Sequence, residues 1–327
     1  MLLSLFRTNQ LLLAILLLPY IAVLHLAPLW IQDNWEPAVH GIFTHLFFDF
    51  FEYKTTMTQV LAGFLLFLQA ILLIWMDFRH KLSLEPTLFT GVFMVLVSSV
   101  SLPFLHLSSY HFSNIFLLLA VNQLLITSRK PKVTGAILNV GLCIGLSALF
   151  TPAYVLYIIL AFVGLNLLRG FNFNERIIVL VGVLVVFFLT GTLYFLRGQF
   201  SVFWQQQFVE GFAILDFRAG NMFTFIHLGL LLVLVLIMVA LRGQITSRKI
   251  MEAQRKIDVF YWGMLISLLV LLVQADIQEN SFLVVTPFLG FFMGLQWSNL
   301  RPNISELLHL LFFLSVLLLQ YRPFFLS

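Results

Sequence analysis

The residues able to do chemistry crowd into one short stretch, WIQDNWEPAVHGIFTHLFFDFFEY (30–53). It carries the carboxylates of Asp33, Glu36, Asp49 and Glu52 and the imidazoles of His40 and His45. A carboxylate can act as a general base on an attacking hydroxyl, or hold a divalent metal through oxygen. Asp33 and Glu36 are the candidate catalytic residues. His40 and His45 are candidate substrate-binding residues. They lie five apart and share a helical face poorly, so a zinc pair is disfavoured. A plainer reading stands beside the catalytic one. The acids then form the solvated face of a helix, with Asp33 and Glu36 favouring its N-terminus through the macrodipole.

A second stretch, RGQFSVFWQQQFVEGFAILDFRAGN (197–221), mixes aromatic rings and amides with Arg197, Glu210, Asp216 and Arg218. Rings stack on sugars and amides bond their hydroxyls. Arg197 and Arg218 suit a phosphate, through charge-assisted hydrogen bonds. The same mixture suits any segment at lipid-headgroup depth. Asp276 and Glu279 in the turn DIQEN fall on the same side of the expected topology, as do the imidazoles of His106 and His111, which could approach the first stretch.

The elements that position these residues are apolar. The chain has 327 residues, 61% of them hydrophobic and 10% charged, with a mean hydropathy of +1.02. Soluble domains carry roughly 25% charged residues, so the solvent of this chain is expected to be largely lipid. A membrane-crossing helix needs about 20 apolar residues. Apolar runs of about that reach fall at 11–30, 57–76, 87–107, 111–126, 133–150, 151–168, 177–196, 223–242, 259–275, 281–298 and 306–322. The expected fold class is therefore an all-α polytopic membrane protein of about eleven spans, one transmembrane domain over 1–327. The expected outer loops are 31–56 and 197–222, with a basic inner loop at 243–258.

Charge supports this threading. With the N-terminus inside, only Lys54, Arg197, Arg218 and Arg322 of the 18 Lys and Arg fall outside. That is the positive-inside asymmetry of an N-in, C-out protein. Segment 243–258 reads as a short basic surface helix touching lipid headgroups. In 30–53, Pro37 is placed for a first helical turn. Val39, Phe43, Leu46 and Phe50 recur at helical spacing, with His45, Asp49 and Glu52 on another face. The pattern predicts an amphipathic helix whose phenylalanines embed at the membrane interface.

Several classes recede. The net charge of +4 is spread over short loops and gives no nucleic-acid footprint. Cys143 is the single cysteine, which excludes an intrachain disulfide and reads as a small buried residue. No nucleotide-binding or HExxH motif is present. Polar residues such as His25, Gln69, Asn122 and His309 sit within spans, but acids and bases do not, which weakens a transporter reading. Gly141 and Gly145 form a GxxxG, read as helix packing.

Two resemblances follow from longer stretches. The start MLLSLFRTN, with LEPTLFTGVFMVLVSS, FSNIFLLLAVNQLL and GLCIGLSALFTPAYVLYIILAFVGLNLLRGFNFNER, resembles an uncharacterised family of multi-pass membrane proteins of Bacteroidota. The opening WIQDNWEPAVHGIFTHLF resembles that of membrane glycosyltransferases of the GT-C type, which carry an essential Asp or Glu in the first outer loop. That resemblance implies Asp33 as the catalytic carboxylate, with Glu36 as its near alternative. It implies a polyprenyl-phosphate-linked sugar as donor at the outer face of the inner (cytoplasmic) membrane. The acids stand three apart here, whereas the family commonly places two side by side. A non-catalytic membrane subunit or lipid-handling scaffold is the alternative, and a transporter the third reading.

Overall fold

In a computed structural model, residues 3–8, 10–30, 41–50, 55–128, 130, 132–212, 222–247, 249–274 and 279–321 are described. Among these residues every regular element is helical. Helix α1 spans Leu17–Leu24, after a 3-10 turn at Leu11–Leu16. It is followed by α2 (Ile42–Phe50), α3 (Thr56–His80), α4 (Phe89–Val97), α5 (Ser109–Ile126) and α6 (Thr134–Phe150). Then come α7 (Tyr157–Arg169), α8 (Phe173–Leu196), α9 (Met222–Ala240), α10 (Met251–Leu272), α11 (Thr286–Ser298) and α12 (Pro302–Gln320). Shorter helical turns connect them.

Among the described residues, five helical segments are long and apolar enough to cross a membrane: Thr56–His80, Ser109–Ile126, Pro152–Arg169, Phe173–Leu196 and Pro302–Gln320. Their outer faces are apolar. On α8, Leu184, Phe188, Leu193 and Leu196 are all exposed, a surface suited to hydrocarbon and poorly suited to water.

The helix ends follow local chemistry. Thr55 caps α3 by accepting the Thr58 N–H (3.3 Å). At the other end Lys81 turns left-handed at φ 53° and closes the helix onto the Asp77 carbonyl. Asp77 Oδ1 then accepts the Ser83 N–H (2.8 Å). Lys249 Nζ donates to the Leu82 carbonyl in the same turn, which ties the basic inner segment to the end of α3. Burial pulls the Lys249 ammonium down to about 8, against the pull of the Asp77 carboxylate.

The core runs through two short helices. All nine residues of α4 are buried, as is α11 from Thr286 to Leu295. These two pack on each other, α3 packs on α4 and α5, α6 lies between α5 and α8, and α7 packs on α10. The apolar run 87–107 is therefore not one regular helix. Its α-helix ends at Val97, and a 3-10 turn follows at Leu102–Leu105. Pro103 is the physical reason, since proline has no N–H and its ring clashes with the carbonyl four residues back. The basic segment 243–258 also differs from expectation. It splits into a short helix at Arg242–Thr246 and the first two turns of α10, which begins at Met251.

The GxxxG works as close packing. A Cβ on Gly141 would meet the Val179 carbonyl oxygen of α8 at 2.1 Å. A Cβ on Gly145 would meet the Val186 side chain at 2.9 Å. Gly141→Val should lower stability by about 1–3 kcal/mol through forced helix separation. Gly135, with open space around it, should accept alanine at no cost. Thermal unfolding of both variants in micelles checks the contrast.

Candidate functional site

The first outer segment is built onto the bundle by its start. Gly41 adopts φ +92°, and a Cβ there would meet the Phe150 carbonyl oxygen at 2.5 Å. Only glycine combines that backbone with that approach. Helix α2 begins at Ile42, and Pro37, expected in a first helical turn, lies outside the described residues. Thr44 Oγ1 donates to the Phe150 carbonyl (2.7 Å), so the open end of α6 receives a partner from α2.

Phe43, Phe47 and Phe48 of α2 pack on protein rather than lying free at an interface. Ile42, Phe43 and Leu46 join a cluster with Leu149, Val186, Tyr194 and Phe203. Phe47 and Phe48 join another with Leu65, Leu107 and Phe112. The helix is a wedge between α3–α5 on one side and α6–α8 on the other.

The second outer segment meets it there. After Phe200–Trp204 the chain winds into a π-helical turn, Gln205–Val209, closed by the Glu210 N–H on the Gln205 carbonyl (2.9 Å). Such turns recur at functional sites because they re-aim side chains. Here Gln207 is buried while Gln205 and Glu210 stay exposed. The Gln207 amide bridges both segments. Its Oε1 accepts the Ile42 N–H (3.3 Å) and its Nε2 donates to the Ala148 carbonyl (2.6 Å). Gly211 rests against Pro152, at the break between α6 and α7.

This junction gathers three of the residues singled out in sequence. His45 on α2 lies within electrostatic reach of Glu210 and Asp49. Glu210 Oε1 accepts from Gln205 Nε2 (2.9 Å). Arg197 stands exposed at the C-terminal end of α8, where a cation complements the helix dipole. The Tyr194 hydroxyl lies within reach of both Arg197 and Asp49. Burial lowers the His45 pKa, and the Glu210 and Asp49 carboxylates oppose that shift. The junction thus offers a half-buried imidazole, two carboxylates, a phenol, an amide and a guanidinium, a set able to hold hydroxyl and phosphate groups.

Asp33, Glu36, His40, Asp216 and Arg218 lie outside the described residues, as do Glu52 and Asp276. Among the described residues no group of three or more His, Cys, Asp or Glu is placed to hold a metal ion. Sequence reasoning missed Tyr194 and the bridging part of Gln207. The QQQ run at 205–207 was a signal, but which of the three turns inward depends on the π-helical turn.

A further polar group lies at the top of α5. Ser108 and His111 form a capping box, with the Ser108 N–H on His111 Nδ1 (3.3 Å). His106 and His111 act electrostatically on His25, which caps the end of α1. Segment 31–40, which these histidines were expected to approach, lies outside the described residues.

Comparison with known proteins gives no matching family, no matching curated protein and no matching solved structure.

Two outcomes check this geometry. Gln207→Leu leaves the Ile42 N–H and the Ala148 carbonyl unpaired and should cost about 1–3 kcal/mol, with faster protease cleavage near α2. A lowered His45 pKa means that its contribution to stability is complete above the unfolded value of about 6.5. That contribution is lost as pH falls through the lower folded value. Glu210→Gln removes a carboxylate that favours the imidazolium, so the His45 pKa should fall further. Diethyl pyrocarbonate modification followed against pH reads that shift.

Proposed function

We propose that the chain is a multi-pass protein of the inner (cytoplasmic) membrane that transfers a sugar from a polyprenyl-phosphate carrier at the outer face. The N-terminus is cytoplasmic and the C-terminus periplasmic in this reading. About eleven spans cross the bilayer, the shorter ones shielded from lipid by the long ones. The observation that carries it is the Gln207 bridge. It joins the two outer segments that hold the candidate acids and the candidate phosphate-binding arginines.

The chemistry assigns each group a step. The Asp33 carboxylate, with Glu36 as its alternative, takes the proton from the acceptor hydroxyl. The acceptor oxygen bonds to the sugar anomeric carbon as the bond from that carbon to the carrier phosphate breaks. The departing phosphate keeps the electron pair, and Arg197 and Arg218 stabilise it. His40, His45, Glu210 and Asp216 hold the sugar hydroxyls and orient the anomeric carbon.

A non-catalytic subunit or lipid-handling scaffold is the second reading. It is favoured by the tight wedge packing of α2, which serves structure as well as chemistry.

A mass-spectrometric profile of surface glycans and lipid-linked sugars separates the two. A deletion strain should lose a sugar that the wild-type gene restores. Well-expressed Asp33→Asn should fail to restore it, and Glu36→Gln should restore it weakly. An unchanged profile in the deletion strain would sink the transferase reading, and full restoration by both acid variants would favour the scaffold.

A further inference from the structure

A groove of about 340 Å³ lies between α1 and α3, at the side of the bundle. Its walls are Leu18, Ile21, Leu26, Val60, Gly63 and Phe64, with His25 and Gln59 toward one end. Leu18, Leu26, Val60 and Phe64 are exposed, so the groove opens sideways to the surroundings of the bundle. Beside exposed apolar faces of this kind, those surroundings are hydrocarbon.

The imidazole of His25 makes this more than a gap between helices. Both of its ring nitrogens are buried, and neither has a hydrogen-bond partner among the described residues. Two other buried imidazoles are bonded, His80 to Asn122 (3.1 Å) and His309 to Tyr20 (3.0 Å). A buried donor or acceptor left open costs about 1–3 kcal/mol, and a bound polar group recovers that cost. The turn that carries His25 is held in place. Its N–H donates to the Ile21 carbonyl (2.8 Å), and Gln59 Nε2 donates to the Pro28 carbonyl (3.3 Å). Gly63 faces the ring, and a Cβ there would reach His25 Nδ1 at 3.6 Å in ordinary contact. The glycine keeps the floor of the groove low beside the imidazole.

Charge selects the head group. No Lys or Arg lies between Arg7 and Lys54, or between Lys54 and Arg79. No Lys or Arg is among the residues that line the groove, so its described walls bring no fixed cation to a phosphate there. An anionic head would be desolvated without a counter-charge. A hydroxyl matches a neutral imidazole, donating to one nitrogen or accepting from the other. A long chain bearing that hydroxyl fills the apolar walls.

We propose that the groove between α1 and α3 binds a long-chain lipid with an uncharged hydroxyl head, held by a hydrogen bond to His25. This binding is independent of sugar transfer and stands or falls without it.

The test uses the full chain in nanodiscs and a diazirine-tagged farnesol as photoprobe. Labelled peptides should map to 18–26 and 59–64. His25→Ala should reduce capture about tenfold, the worth of one buried hydrogen bond. Val60→Trp and Gly63→Leu, which fill the groove and leave the imidazole, should abolish capture while helix content stays unchanged. They decide the matter if His25→Ala fails to fold. Untagged farnesol should displace the probe well, and farnesyl phosphate or phosphatidylethanolamine poorly. Labels outside the groove, or capture unchanged by the filling variants, overturn the site. Capture unchanged in a folded His25→Ala protein overturns the hydrogen bond. Better displacement by farnesyl phosphate overturns the uncharged head, and equal displacement by phosphatidylethanolamine marks a groove for bulk lipid tails and overturns the proposal.

Discussion

A backbone carbonyl with no helical partner and no water must find a side-chain donor, and this protein depends on that constraint throughout. In hydrocarbon each open backbone group costs several kcal/mol, so broken helices survive only where neighbours supply the missing bonds. The interior here contains such breaks, and amides meet them. Gln320 Nε2 reaches the Ser99 carbonyl (2.5 Å) where the chain unwinds after α4. Asn114 Nδ2 reaches the Leu283 carbonyl (2.9 Å) ahead of α11. Gln69 Nε2 takes the His111 carbonyl (2.7 Å), and Gln207 serves the end of α6. Tyr154 then bonds Asn114 Oδ1 (2.7 Å), which orients the amide so that its NH₂ faces the carbonyl.

These bonds explain the arrangement of long and short helices. A short helix such as α4 cannot span hydrocarbon alone, and its open ends would face lipid at the periphery. Placed at the centre, it is covered by longer helices that complete its bonds. Close contacts at Gly141, Gly182 and Gly290 let the covering helices approach to backbone distance. The same logic fixes the candidate site. Thr44 from α2 and Gln207 from the second outer segment both complete the end of α6, so they must meet there. The gathering of His45, Asp49 and Glu210 follows from a structural need.

Much of the all-helical character was legible because long apolar runs leave few alternatives. The five helices long enough to cross a membrane all fall within or around runs marked out by hydropathy. The interruptions were less legible. Pro103 is visible in the sequence, but whether the chain kinks or unwinds there depends on Gln320, more than two hundred residues away. The start of α2 turned on Gly41, because the end of α6 approaches Gly41 and a side chain there would collide with it. His45, Arg197 and Glu210 were recognisable as polar residues in apolar company. Their meeting was not, since a side chain that bridges Ile42 and Ala148 leaves no periodic trace. Asp33, Glu36, His40, Asp216 and Arg218 fall outside the described residues, so that half of the expected site rests on the sequence alone.

The polar groups that remain open then carry information. Toward the opposite end of α3 several buried groups find partners, although Asp77 Oδ2 has none among the described residues. His80 bonds Asn122, and Arg169 bonds Glu175 and the Thr127 carbonyl (3.1 Å). Near the top of α5 several do not. His111 Nε2, Gln274 Nε2 and both polar atoms of the Asn280 amide lack partners among the described residues, as does the His25 ring. Tyr110, which reaches both Gln274 and Ser281 (3.2 Å each), draws this region together. A protein that completes remote carbonyls with well-aimed amides has no physical reason to leave four such atoms and a whole imidazole open at random. Buried polar groups are satisfied by protein, by ordered water or by a ligand. Their concentration beside the chain that enters the acidic loop therefore marks that end of the bundle as the place for polar guests. The apolar sides of the same helices remain for their hydrocarbon chains.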